Sequence, residues 1–236
     1  MKNLFDLTGK MALLVGYEGN LGPIWRDTLE AAGASVEGMG LPVFDFSDFP
    51  HFALLMQNMQ ERPENMAPDI IVCNAAIDTP PTDPDARFFD DFEETMQVNV
   101  NAHARIIERY LPGMVKNGGG VIVFIGSIMG FRAADWTNYS GGFEKPVAYN
   151  VSKAALVHLA ACITRQYGHK GIRAVCPSFG PYISGKLPEE FLAKITNKIP
   201  MRRTVLKESL QRALLFSCCC EDFAGGAVVI DGGLIT

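Results

Sequence analysis

Five times the chain returns to a short, mostly apolar run: MALLV at 11–15, DIIVCNAA at 69–76, GVIVFIGS at 120–127, IRAVCPS at 172–178 and AVVID at 227–231. These runs do not alternate apolar with polar residues as a half-exposed strand does, so both faces of each strand need cover. Helical stretches separate them: PIWRDTLEAAG, FALLMQNMQ, the span from Asp90 to Lys116, and VAYNVSKAALVHLAACITRQYG. Two more strands are expected at ASVEGM and VFDFSD. The alternation predicts a Rossmann-type doubly wound parallel sheet in three layers, α/β/α. At 236 residues the chain supports one sizeable core, and residues 1–236 are read as a single domain.

Charge and cysteine usage narrow the function. A formal net charge of -5 gives no basic footprint for nucleic acid or an anionic membrane. The first apolar run, Met11 to Val15, is too short for a signal peptide core or a membrane span. Cysteines at 73, 162, 176 and 218–220 form no C-x-x-C pair and have no histidine at ligand spacing, so neither a metal site nor a disulfide framework is expected. The triple Cys218, Cys219, Cys220 reads as packing at the end of an apolar helix (209–216). A reducing, cytoplasmic compartment and a small-molecule substrate are the expectation.

The first strand runs into VGYEGNLG, residues 15–22, and then into a helix. Gly16, Gly19 and Gly22 recur every third residue, where a missing Cβ permits a tight turn, a close approach to a pyrophosphate and helix–sheet packing. The segment Gly16, Gly19, Asn20, Leu21 and Gly22 is the candidate phosphate cradle. The bland alternative is a structural turn.

Tyr149 and Lys153 stand four residues apart in a helical run, on one face. An ordinary phenol, with a pKa of about 10, exchanges protons poorly near neutrality; a fixed cation beside it stabilises the phenolate. Moving hydride to a carbonyl builds negative charge on oxygen, which calls for a proton donor, a second hydrogen bond and a nearby positive charge. Tyr149, Ser127 and Lys153 supply those roles, and Asn99 is placed to hold a water linking Lys153 to solvent. Taken singly, Ser127 also reads as a strand-end cap and Asn99 as a helix-kink residue.

Together with CNAA (73–76), VNV (98–100), GSIMG (126–130), GIRAVCPSFG (171–180) and the terminal VVIDGG, these elements resemble the short-chain dehydrogenase/reductase family in its compact branch, over nearly the whole chain. The resemblance implies NAD(P) as cofactor and a homodimer or homotetramer. It implies Asn99, Ser127, Tyr149 and Lys153 as catalytic residues, with Tyr149 and Lys153 also near the cofactor. Asn74, Ala75 and Ala76 would lie beside the cofactor, Gly180 and Ser184 at the nicotinamide amide, and Asp45 at the adenine amino group. The chain departs from the family pattern at Val15 (usually threonine), Asn20 (usually glycine), Val175 (usually asparagine) and Phe179 (usually proline). At the end of the second strand Gly40 stands where an acid normally meets the adenosine ribose. No Lys or Arg occurs between Arg26 and Arg62, and Glu18 sits in the glycine loop, so NAD is favoured over NADP.

Ser127 and Tyr149 are joined by a longer connection than a compact domain usually keeps without use, IMGFRAADWTNYSGGFEKPVA. With NAAIDTPP (74–81) it is similar to oxidoreductases of bacterial surface-glycan and nonulosonic-acid pathways. Arg132, Trp136 and Tyr139 offer a cation and stacking faces to a sugar-like substrate, or else the segment is a lid or an oligomer contact. The expected function is hydride transfer between nicotinamide and an alcohol or carbonyl; the rival is a catalytically weak dinucleotide-binding scaffold.

Overall fold

A computed structural model of the protein describes residues 4–40, 52, 56, 66–78, 92–135, 145–183 and 189–235. Among these residues the sheet has seven parallel strands: β1 Met11–Val15, β2 Ser35–Met39, β3 Ile70–Cys73, β4 Gly120–Phe124, β5 Gly126–Ser127, β6 Ile172–Phe179 and β7 Ala227–Ile230. The helices are α1 Gly22–Ala31, α2 Phe92–Met96, α3 Ala102–Lys116, α4 Val147–Tyr167, α5 Glu189–Lys198 and α6 Lys207–Cys219. From β1 the chain builds β2 on one side and returns to lay β3 on the other. That reversal opens a crevice at the C-terminal ends of β1 and β3.

The apolar runs follow from a core on each face of the sheet. Along β1, Leu13 and Val15 join one cluster while Ala12 and Leu14 join the other; along β4, Ile122 and Phe124 face one way and Val121 and Val123 the opposite way. The first cluster is closed by Ile106 and Met114 of α3 and Leu156 and Ala160 of α4. The second is closed by Trp25 and Leu29 of α1 and Leu210 and Leu214 of α6. Burying each such side chain contributes roughly 1.5–3 kcal/mol, and a strand carrying them on alternate faces is stable only between two helical layers.

The helix expected from Asp90 to Lys116 is not continuous. A π-helical segment, Gln97–Asn101, interrupts it between α2 and α3. GVIVFIGS is likewise divided into β4 and β5, which pair with successive parts of β6 on either side of Ile125. The α4 stretch through Lys170 has the length and composition to cross a membrane, yet it buries Asn150, Ser152 and Lys153 in the manner of a core helix. The VFDFSD strand and most of FALLMQNMQ fall outside the described residues, although Phe52 is buried in the first cluster.

Candidate functional site

The glycine loop is held by its backbone. Gly16 N–H donates to Met39 O at 2.6 Å, Gly19 N–H to Gly16 O at 3.2 Å and Gly22 N–H to Gly19 O at 2.9 Å. Gly16 has φ +83°, and a Cβ there would lie 2.5 Å from Ala75 N; at Gly22 it would lie 2.0 Å from Tyr17 O. Both positions therefore require glycine on steric grounds. The Asn20 and Leu21 amides carry no hydrogen bond among the described residues, and the first turn of α1 holds no acidic side chain. Free N–H groups at the positive end of a helix form a cradle for an anion.

Asn74 locks this loop to β3. Its Nδ2 donates to Gly16 O at 2.8 Å, and its Oδ1 accepts from Trp25 Nε1 at 2.8 Å. The Trp25 ring stacks on Phe179 with centroids 5.8 Å apart. Phe179 thus fills the position of the usual proline with a buried aromatic contact, and Val175, fully buried, joins the same core.

At the other end of the cleft, Pro146 precedes α4, whose first turn exposes Tyr149 to the cleft. Lys153, one turn later, donates from Nζ to Ile125 O at 2.9 Å, at the break between β4 and β5. Burial pushes the Lys153 ammonium down to about 8, with Cys176 and Asp78 opposing the shift and Lys145 reinforcing it. Lys153 Nζ lies 5.4 Å from the Tyr149 ring centroid. A second ammonium is closer: Lys145 Nζ is 4.2 Å from that centroid and forms an ion pair with Asp78. Ser127 accepts a hydrogen bond from Met129 N–H at 3.2 Å, capping the short 3₁₀ turn Ile128–Gly130.

Asn99 is fully buried behind the cleft rather than in its wall. Its Nδ2 donates to Ile77 O and to Ser152 Oγ, each at 3.0 Å, and its Oδ1 accepts from Ile77 N–H at 2.8 Å. Ser152 Oγ in turn donates to Tyr149 O at 2.8 Å. The side-chain amide is engaged in these contacts, and Asn99 sits within the π segment. His103, one turn on, pairs through Nε2 with Ala75 O at 2.9 Å, while its buried Nδ1 has no partner among the described residues. Burial brings its pKa down to about 4.

A cleft of about 400 Å³ joins these parts. Of the expected residues it gathers Gly19, Asn20 and Leu21 from the loop, Asn74, Ala75 and Ala76 from the segment that follows β3, and Ser127, Tyr149, Lys153 and Gly180 from the opposite wall. Gly16 and Gly22 shape the loop from behind. Asp45, Ser184, Trp136 and Tyr139 lie outside the described residues. Sequence reasoning missed Lys145, Asp78 and His103. Lys145 had a signal, since it is four residues before Tyr149, but it precedes the helix and escapes a search by helical spacing.

A cleft at the switch point of a three-layer parallel α/β sheet defines a Rossmann-type protein. A family model described as enoyl-(acyl carrier protein) reductase matches residues 26–235, starting just beyond the glycine loop. An uncharacterized oxidoreductase of Thermotoga maritima is 38% identical over 176 residues, covering 70% of this chain and 66% of that protein. Among solved structures, the Pseudomonas aeruginosa RhlG/NADP active-site complex superposes with a TM-score of 0.81 at 23% identity, covering 99% of both chains. A short-chain dehydrogenase from Leptospira borgpetersenii with bound NAD+ gives 0.81 at 22% identity, covering 100% of this chain and 97% of the other. The chain belongs to the short-chain dehydrogenase/reductase family.

Proposed function

We propose that the protein is an NAD(P)-dependent oxidoreductase that moves a hydride between nicotinamide and an alcohol or carbonyl carbon of a sugar-like substrate. The observation that carries this reading is the placement of Tyr149 beside two ammonium groups, Lys153 and Lys145, in a cleft that also receives Asn20 and Leu21, whose amides carry no hydrogen bond among the described residues. The residues fit a dinucleotide: the α1 end cradles a pyrophosphate, and Lys153 and Gly180 lie further along the same cleft. When bound, the nicotinamide supplies or receives the hydride.

The protein's own side chains handle the proton. In the oxidative direction the Tyr149 phenolate takes the hydroxyl proton as the hydride leaves the carbinol carbon; in reduction the phenol returns it to the forming alkoxide. Lys153 and Lys145 stabilise the phenolate, and the Ser127 hydroxyl donates to the substrate oxygen. Asn99 acts from behind, fixing the first turn of α4 through Ser152.

A polar substrate is supported by a smaller cavity of about 210 Å³ that shares Ile128, Met129 and Ile195 with the main cleft and is lined by Arg132, Asp135 and Lys198. The test is a screen of sugar-derived alcohols and ketones, following nicotinamide absorbance with wild type and Tyr149→Phe. Turnover by wild type alone supports the reading. Dinucleotide binding with no turnover on any candidate would favour the scaffold alternative.

A further inference from the structure

Gly40 directly follows β2, next to the glycine loop, whose Gly16 and Tyr17 amides both donate to Met39 O, at 2.6 and 3.4 Å. A Cβ built on Gly40 would lie 2.2 Å from Glu18 Oε2 and 3.5 Å from Glu18 Cδ. The carboxylate of Glu18 therefore occupies the space that a side chain at position 40 would fill, reaching it from the opposite strand connection. Backbone strain is not the reason for glycine here, because Gly40 is not among the residues with positive φ. The space itself is the reason.

The charge at this corner is also distinctive. Glu18 is exposed, and its carboxylate has no hydrogen bond or ion pair among the described residues. Arg26, the cation of the same corner, is already engaged: its Nη2 contacts Asp27 Oδ1 at 2.7 Å and its Nη1 donates to Tyr17 Oη at 3.3 Å. An unpaired carboxylate beside the anion cradle has room for a ligand that donates hydrogen bonds, and it repels one that carries further negative charge.

We infer that Glu18 is the specificity-determining residue of the cofactor site: its two oxygens accept hydrogen bonds from the vicinal hydroxyls of an unphosphorylated adenosine ribose, in place of the missing acid at position 40. The acid has moved from the end of β2 to the glycine loop, and Gly40 is the vacancy that admits it. A 2′-phosphate at this spot would meet Glu18 at close range with Arg26 already paired. The inference rests on the dinucleotide reading above and adds the identity of the group that selects the ribose.

The test is calorimetric titration of NAD+ and NADP+ into wild type, Glu18→Ala, Glu18→Gln and the double variant Glu18→Ala/Gly40→Asp, with a thermal melt of each. The expected result is that wild type prefers NAD+, and that both Glu18 variants lose NAD+ affinity by about 10–100-fold, the scale of hydrogen bonds to a charged group, with NADP+ affinity unchanged or improved. The double variant should regain most of the NAD+ affinity, because it returns a carboxylate to the same volume from the other connection. A merely structural role for Glu18 would move both affinities and the melting temperature together and would not be rescued by Gly40→Asp. The inference fails, with the dinucleotide reading intact, if wild type prefers NADP+ or if the Glu18 variants keep the wild-type ratio. Wild type that binds neither dinucleotide would overturn the reading and the inference with it.

Discussion

At the α4 end of the cleft the proposed proton transfer depends on named side chains, whereas at the glycine-loop end the proposed anion binding depends on where the backbone runs. Tyr149 and Lys153 are placed by contacts a sequence change would remove, through Ser152 Oγ to Tyr149 O and Lys153 Nζ to Ile125 O. The loop instead offers main-chain amides, shaped by Gly16 and Gly22, that survive changes to many of its side chains. This contrast accounts for the departures from the family pattern that the resemblance implies at Val15, Asn20 and Gly40, alongside Ser127, Tyr149 and Lys153, the residues proposed to act on the substrate. A site built from amides tolerates new side chains but no new Cβ at its close contacts; a site built from functional groups tolerates the reverse.

The largest expected effect attacks the side-chain end. Tyr149→Phe deletes one hydroxyl and should lower turnover by at least ~100-fold, the scale of losing a positioned acid or base, while titration shows dinucleotide affinity nearly unchanged. Equal losses in both would erase the distinction between the two ends. Gly16→Ala attacks the loop by adding one methyl. Its left-handed backbone alone should cost about 1–2 kcal/mol, and the contact with Ala75 adds to that. The expected outcome is a lower melting temperature together with weakened dinucleotide binding.

His103 bridges the ends and gives a smaller, pH-dependent effect. With its folded-state pKa near 4, below its ordinary value, the unfolded chain takes up a proton first as pH falls. Stability is therefore full above the ordinary histidine range and declines as pH drops through it toward the folded value, by less than roughly 1 kcal/mol between pH 7 and 6. Urea midpoints of wild type and His103→Gln across that interval check it; an identical pH slope would exclude His103 as the source. The smallest effect sharpens the comparison most. Asn20→Ala should change dinucleotide affinity by less than about threefold, since the main-chain amide, unlike the side chain, remains. A tenfold loss would transfer Asn20 to the side-chain class.

The sheet was legible because each strand must be covered twice, which leaves an unbroken apolar run in MALLV and GVIVF. The Tyr149/Lys153 pair was legible because four residues on a helix return to one face. The π segment at 97–101 was not, since it is coupled to Asn99 bonds with Ile77 and Ser152, both far away in sequence. Nor could periodicity show that Phe179, in place of a proline, packs on Trp25 from α1. The Glu18 carboxylate and Gly40 illustrate the same limit: sequence displays an acid in one turn and a gap in another, and only their distance joins them.

The bonds from Ile77 through Asn99 and Ser152 to Tyr149 O tie three separate segments into one latch. Local opening at any point should release the others, so the Ile77 amide and the amides of the first turn of α4 should exchange with deuterium as one cooperative unit. In Asn99→Ala the unit would break into independent parts, each with its own exchange rate. Tyr149, the proposed general base, would then sit on a helix end that frays by itself, and the fraction of molecules able to react would be set by that fraying rather than by global unfolding.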